Sequence, residues 1–232
     1  MPAVRRLHEW NVSPTEAVEL QRRLAGDLTF ALPDGWSPRV VAGVDVTSDP
    51  ADADAFTAGI VVLRLPEREV IEEVTAAHPA GFPYIPGLLT FREGPAILAA
   101  VAALRSQPDA WIFDGAGYAH PRRLGLASHL GLWLDAPAVG CAKTWLIGDH
   151  VEPGPARGDF APLVHKGEEI GRVLRTRDAV HPVFLSAGHR MTLSAACDLV
   201  LACCRYRVPE PTRLAHLLVN RAVGRLPAKG GT

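Results

Sequence analysis

Arg39-Val40-Val41-Ala42-Gly43-Val44-Asp45-Val46 is an aliphatic run interrupted by one glycine and one acid. β-Branched residues with no polar alternation mark a strand buried on both faces. A polar loop, Thr47 to Asp54, follows it. Two further strand patterns come next, Thr57 to Leu65 and Val70 to Ala76, joined by Pro66-Glu67-Arg68-Glu69 as a hairpin turn. Three strands in succession, two of them hairpin-linked, predict an antiparallel meander with an acid embedded in its first strand.

Outward from the meander the pattern changes. Upstream, Ser13-Pro14-Thr15-Glu16 opens a helix: Ser13 is the N-cap, Pro14 takes the first helical position and Glu16 completes a capping box. That helix runs through Leu20 and Leu24 and ends near Gly26. Downstream, Gly94-Pro95 to Leu104 reads as a helix of alanines and aliphatics. Ala110-Trp111-Ile112-Phe113-Asp114 is a short buried strand ending in an acid, Leu124 to Leu134 a helix, and Ala138 to Lys143 a short strand ending in a lysine. Val164 to Val173 holds paired strands, with Arg172 to Asp178 a charged turn. Val183 to Ser186 reads as a strand, Thr192 to Arg205 as a helix, and Pro211 to Val223 as a final helix opened by proline. Strands alternating with helices after a meander predict an α/β fold, a mixed sheet with helices packed on it. With no internal repeat and no linker, residues 1–232 are read as a single domain.

Hydrophobic residues make up 48% of the 232, enough for a sizeable core, and the formal net charge of −1 does not by itself point to nucleic acid. The distribution of charge is more informative. Asp45 to Glu73 carries eight acids against Arg64 and Arg68, whereas Arg205, Arg207, Arg213, Arg221, Arg225 and Lys229 face only Glu210. The basic tail suits a phosphate backbone or, equally simply, a solvated helix face. The four cysteines, Cys141, Cys197, Cys203 and Cys204, have neither CxxC nor zinc spacing, and Cys203-Cys204 reads as buried helix packing. The N-terminus lacks a signal-peptide core, and the longest apolar run, Pro95 to Leu104, is too short to span a bilayer. A soluble cytoplasmic protein, without a membrane partner and monomeric, is expected.

Two features carry the chemistry. In Phe82-Pro83-Tyr84-Ile85-Pro86-Gly87-Leu88-Leu89-Thr90-Phe91-Arg92-Glu93, two prolines make a stiff extended turn with an aromatic ring between them. Tyr84 on such a loop suits insertion into a stack of bases; a surface loop with Tyr84 folded onto the core is the plainer alternative. The second feature is acids in apolar strands. A buried carboxylate without a partner costs several kcal/mol, roughly, so Asp45 and Asp114 require an explanation. Lying near strand ends, they can converge with Glu93 on one or two hard cations, for which carboxylates suit Mg²⁺ or Mn²⁺. The alternative is that Asp45 caps a turn and Asp114 the glycine-rich loop after it. Asp114-Gly115-Ala116-Gly117 lacks the features of a nucleoside triphosphate loop, but its glycines allow close approach of a flat base. His120, with Pro121-Arg122-Arg123 after it, Lys143 and Arg190 are candidate phosphate contacts. His129 is read as structural, and His216 as either a metal ligand from far along the chain or a bland helix residue.

Together these segments resemble the endonuclease V family of deoxyinosine repair nucleases. The resemblance runs from Gly43-Val44-Asp45 through Pro83 to Leu89, Phe91-Arg92-Glu93, Asp114 to Gly117, His120-Pro121-Arg122, Gly125 to Gly131, Cys141-Ala142-Lys143 and Gly188-His189-Arg190 to Pro211-Thr212-Arg213-Leu214-Ala215-His216. It implies a ribonuclease-H-like mixed sheet, an antiparallel three-strand meander plus parallel strands, with helices on both faces. It implies Asp45, Glu93 and Asp114 as Mg²⁺ ligands (Mn²⁺ substituting), with Lys143 and His216 completing the catalytic group. By the same resemblance Tyr84, in Pro83-Tyr84-Ile85-Pro86, is the wedge. A flipped hypoxanthine enters a pocket formed by Gly87, Leu89, Gly115, Ala142 and neighbours, while His120, Arg122, Arg92 and Arg190 lie on the phosphate side. The implied reaction cuts the second phosphodiester 3′ of deoxyinosine in DNA and leaves 3′-hydroxyl and 5′-phosphate ends. Val46-Thr47-Ser48-Asp49-Pro50, after the first acid, is more acidic and less aromatic than the resemblance leads one to expect. The competing readings are another ribonuclease-H-like nuclease acting on inosine-containing or structured RNA, and a non-catalytic inosine-binding protein.

Overall fold

The structure, a computed structural model, describes residues 2–50, 52 and 54–227. The aliphatic run becomes β1 (Val40–Ser48), followed by β2 (Ala55–Arg64) and β3 (Glu69–Pro79). These pair antiparallel in sequence order, with Asp45 opposite Gly59. β4 (Ala110–Phe113) lies parallel to β1 on its other side, and β5 (Ala138–Ala142) parallel to β4. β6 (Phe160–His165), β7 (Glu168–Leu174) and β8 (Val183–Ala187) complete an eight-stranded sheet of order β3-β2-β1-β4-β5-β8-β7-β6, the last three antiparallel. The expected mixed sheet is what forms.

Strand alternation assigns the helices to faces. Ala42 and Val44 of β1, with Ile60 and Val62 of β2, turn to one side and meet α2 (Leu89–Ala103) and α3 (Leu126–Leu134). Val41, Ile112, Val139 and Cys141 turn to the other and meet α4 (Leu193–Cys203). Val61 and Leu63 pack there on α5 (Glu210–Ala222). The helices thus cover both faces, and Asp45, in phase with Val41 and Gly43, shares its face with α5. The approach of α5 is close. A Cβ placed on Gly43 would sit 2.1 Å from the Pro211 carbonyl carbon, so only glycine lets that helix start against β1.

The first helix, α1 (Pro14–Leu24), has the expected capping box, with Ser13 Oγ accepting from the Glu16 N–H and Glu16 accepting from Ser13 N–H. The second departs from expectation. α2 begins at Leu89, not at Gly94-Pro95, and Pro95 sits inside it. Its missing N–H forfeits one hydrogen bond without ending the helix, because Phe91, Ala96, Ile97, Ala100 and Val101 are buried along one stripe. Glu93 is consequently a helical residue. Arg172, read as part of a turn, lies in β7. Cys203 and Cys204 are buried and free, their thiols pushed up to about 12 by burial. Among the described residues no helix is long and apolar enough to cross a membrane.

His129 is fully buried within an aromatic cluster that ties the N-terminal segment to α2 and α3. His8 and His129 face each other through Nε2 at 2.7 Å, and Trp10 stacks on Trp133. His8 Nδ1 lies 2.8 Å from the Glu9 carbonyl, which only an N–H can satisfy, so its Nε2 accepts from His129 and from the Trp133 indole N–H. His129 Nδ1 is then a buried acceptor with no partner among the described residues. Burial holds His8, His129 and His189 below the ordinary histidine value, and His120 down at about 4. The unfolded chain protonates all four near 6.5, so the contribution of these histidines to stability is complete above that pH and falls as pH drops toward 4. His120 alone accounts for up to about 3 kcal/mol. Urea midpoints at pH 7.5 and 5 in a Glu93→Gln background check this, and equal midpoints would contradict it. The Glu93 background removes a carboxyl of opposite pH sign.

Candidate active site

Three carboxylates come together from three elements. Asp45 rises from β1, Asp114 follows β4 at the same level of the parallel pair, and Glu93 comes from the second turn of α2. All three line one cavity of about 160 Å³ with Val44, Val46, Leu89, Ile97 and Leu126. Its walls are apolar, and the electrostatics follow from that. Burial, reinforced by Asp45 and Asp114, pushes the Glu93 carboxyl up to about 8. Asp45 is raised by burial and by Asp114, partly offset by His216. Three acids that cannot all ionise comfortably make a site deficient in positive charge.

Two side chains supply part of that charge. Lys143, immediately after β5, places Nζ 3.1 Å from Asp114 Oδ2. His216, one turn along α5 from the Gly43 contact, places Nδ1 2.8 Å from Asp45 Oδ2. Its backbone carbonyl accepts from Asn220 Nδ2 at 2.7 Å. Two of the three acids therefore already have protein partners. Among the described residues no group of three His, Cys, Asp or Glu side chains stands as a ready-made metal cage. The donor set nonetheless suits a hard divalent cation: three carboxylates on one cavity, two of them raised by burial and by the neighbouring acids.

The proline loop stands beside this cavity. Tyr84 is 70% exposed at its tip, so it is not folded onto the core. Tyr84, Ile85, Pro86, Gly87 and Leu89 line a cavity of about 170 Å³ with His120, Gly125, Leu126 and Leu146. Leu89, Gly115 and Ala142 line a second, of about 250 Å³, with Ala116, Thr144, Trp145, Phe184 and Ser186. Leu89 borders all three spaces. The glycines of the Asp114 loop let it lie flat on the sheet: a Cβ on Gly117 would meet the Ala187 carbonyl oxygen at 2.4 Å. Gly117 N–H also donates to Ser186 Oγ at 2.8 Å.

Other predicted residues are placed differently. His120 is buried, and its Nε2 and Arg122 Nη2 both donate to the Gly87 carbonyl, at 3.0 and 2.7 Å. Arg92 lies over the Phe56 ring, with Nη1 3.4 Å from the Phe82 carbonyl. Arg190 is not brought to the acids. It follows the end of β8 that pairs with the start of β5, at the opposite end of the strands, and its guanidinium meets Asp135. The basic tail is neither a free stripe nor a solvated face throughout. Arg207 donates to the Pro182 and Lys143 carbonyls, Arg225 to Thr47 Oγ1, and Arg213 pairs with Glu210, while Lys229 lies outside the described residues. Sequence reasoning missed Trp145 and Leu146, each about half exposed; two consecutive large apolar residues just past Lys143-Thr144 were the available signal.

A mixed sheet led by an antiparallel meander, with acids on its first strand and after the adjoining parallel one, defines a ribonuclease-H-like protein. The family model for Endonuclease V matches residues 22–217. The chain belongs to the Endonuclease V family. Endonuclease V of Gloeobacter violaceus is 49% identical over 218 residues, spanning 92% of this chain and 88% of that protein. The crystal structure of Endonuclease V from Streptomyces avermitilis matches with a TM-score of 0.89 at 43% identity, covering 97% of this chain and 100% of that one. Ciona intestinalis Endonuclease V, crystallised with a 23mer DNA containing an inosine followed by a ribo-adenosine, shares the fold. Its TM-score is 0.81 at 23% identity, over 92% of this chain and 99% of that one.

Proposed function

We propose that this protein is an endonuclease that extrudes deoxyinosine from DNA and hydrolyses the second phosphodiester on its 3′ side, leaving 3′-hydroxyl and 5′-phosphate ends. The observation that carries the reading is the adjacency of an exposed Tyr84 wedge, a small apolar cavity and a three-carboxylate site, with Leu89 bordering each. Family membership and the inosine-containing DNA held by the Ciona relative support the substrate.

The steps follow from the residues. Hypoxanthine pairs weakly, so its extrusion costs less than that of a well-paired base. Tyr84 fills the space it leaves, and the glycine-lined cavity beside Gly115 and Ala142 receives the flat ring against main-chain groups. Asp45, Glu93 and Asp114 would hold Mg²⁺, which supplies charge neutralisation and an activated water when bound. Lys143, beside Asp114, offers a cation to the phosphate on the strand-end side. His216 keeps its Nδ1 hydrogen on Asp45, so that in the imidazolium form its Nε2 can donate a proton to the leaving 3′ oxygen.

The direct test is cleavage of labelled DNA and RNA, each bearing one inosine, with Mg²⁺ or with chelator, beside undamaged strands. A single Mg²⁺-dependent cut one nucleotide beyond the inosine supports the reading, and the preferred strand assigns DNA or RNA. Inosine-independent cutting, or tight inosine binding without any cut, overturns it. For the wedge, Tyr84→Ala should lower the preference for inosine over undamaged duplex by roughly tenfold, the value of one stacked base. The melting temperature should not move, since the ring is exposed. An unchanged preference in binding titrations would remove Tyr84 from recognition.

A further inference from the structure

Gln21 of α1 is buried, 1% exposed, and lies one residue outside the span that the family model matches. Its Nε2 donates to two carbonyls, Gly87 at 3.0 Å and Leu124 at 3.1 Å, and its Oε1 accepts from Arg122 Nε at 2.5 Å. The Gly87 carbonyl is the point on which this network converges. It accepts from Gln21 Nε2, His120 Nε2 and Arg122 Nη2, three donors on one oxygen. Gly87 has φ of +80°, a conformation that glycine adopts without strain, and Arg122 Nη2 would be 2.8 Å from any Cβ there. The ring of His120 has nothing to spare. Its Nε2 donates to Gly87, so its Nδ1 is the acceptor for the Arg122 N–H at 3.2 Å.

The two carbonyls held by Gln21 belong to two segments that contribute to the lining of the cavity beside Tyr84, Gly87 itself and the chain just before Gly125. Tyr84, Ile85, Pro86 and Gly87 line it from one segment, and Gly125 and Leu126, directly after Leu124, from another. One amide thus ties the two segments together. Three residues before the anchored carbonyl, the chain carries the wedge.

We propose that Gln21, with His120 and Arg122, is a positioning residue for inosine recognition: it anchors the Gly87 carbonyl so that Tyr84 is presented rigidly above the cavity. A wedge on a loose loop pays ordering entropy at each encounter, and that cost falls on lesion binding, not on backbone binding. The inference rests on the inosine-directed reading above.

The test measures binding of full-length protein to inosine-containing and undamaged duplexes for wild type, Gln21→Met, Gln21→Glu, Tyr84→Ala and the Gln21→Met/Tyr84→Ala double variant. Gln21→Met removes both donors at similar volume. Gln21→Glu keeps the acceptor for Arg122 and lacks the amide donor, and serves if the methionine variant fails to fold. Both should lower the inosine preference about tenfold, as expected for a lost buried anchor, with undamaged-duplex affinity unchanged. In the Tyr84→Ala background Gln21→Met should add less than about twofold, because the two act through one wedge. Lowered melting temperature with an unchanged preference, or effects that add in full, would make Gln21 a packing residue and overturn the proposal. A wild type without preference for inosine would instead remove the functional reading beneath it.

Discussion

Glu93→Gln is expected to abolish cleavage and, in the absence of metal, to make the fold more stable. The two effects have one cause. Glu93 is held among apolar side chains beside Asp45 and Asp114, and its carboxyl is raised from 4.5 to about 8. A raised carboxyl contributes its full stability below the unfolded value and loses it as pH climbs through the folded one. Above pH 8 the ionised Glu93 is therefore a liability to the metal-free protein, and the neutral amide removes it. The gain should be on the order of 2–4 kcal/mol at pH 8.5, shrinking toward zero near pH 4.5. Activity should move the other way, by at least about a thousandfold, because an amide cannot supply the anionic oxygen a hard cation takes. Asp45→Asn and Asp114→Asn should match the loss of cleavage while retaining affinity for inosine-containing duplex. Melting curves in chelator across pH 4.5 to 8.5, beside single-turnover cleavage in Mg²⁺, separate the outcomes. Destabilisation by Glu93→Gln at pH 8.5 would refute the electrostatic account, and residual full activity the metal assignment.

What could be read in advance was what local chemistry dictates. The meander was legible because β-branched runs and a proline-bearing turn leave little choice, and α1 because its capping box is written in four consecutive residues. Asp45 and Asp114 stood out because an acid in an aliphatic strand is costly without a purpose. The start of α2 was misplaced for a comparable reason: Pro95 is a strong local signal, overridden by the buried stripe on either side of it. Arg190 shows the limit of pattern. Nothing in Gly188-His189-Arg190 says which end of the sheet it occupies, and that depends on β8 running antiparallel to β5. Gln21 was invisible for the same kind of reason, since its partners are the carbonyls of Gly87 and Leu124, far away in sequence. A side chain that recognises backbone leaves no complementary residue type to look for.

Gly43→Ala should be strongly damaging, although it adds only one methyl group to a strand. The added carbon would fall 2.1 Å from the Pro211 carbonyl carbon and 2.3 Å from the Thr212 nitrogen. Both are backbone atoms, so no rotamer change relieves the clash and the start of α5 must move away from β1. Overpacking of this kind costs about 1–3 kcal/mol and more where backbone has to shift. A fall in melting temperature of roughly 5–10 °C follows for a chain of this size. The functional consequence is separable from the structural one. α5 carries His216 to Asp45, so displacing its first turn also lengthens the 2.8 Å contact between them. His216→Ala removes that contact alone. It should leave the fold in place and lower single-turnover cleavage about a hundredfold, the usual reach of a lost proton-transfer group. Gly43→Ala should show this loss with the melting deficit added, and combining the two should cost little further activity. A Gly43→Ala protein that melts like wild type would mean that α5 does not rest on β1 here. A stable one with full activity would detach His216 from the reaction as well.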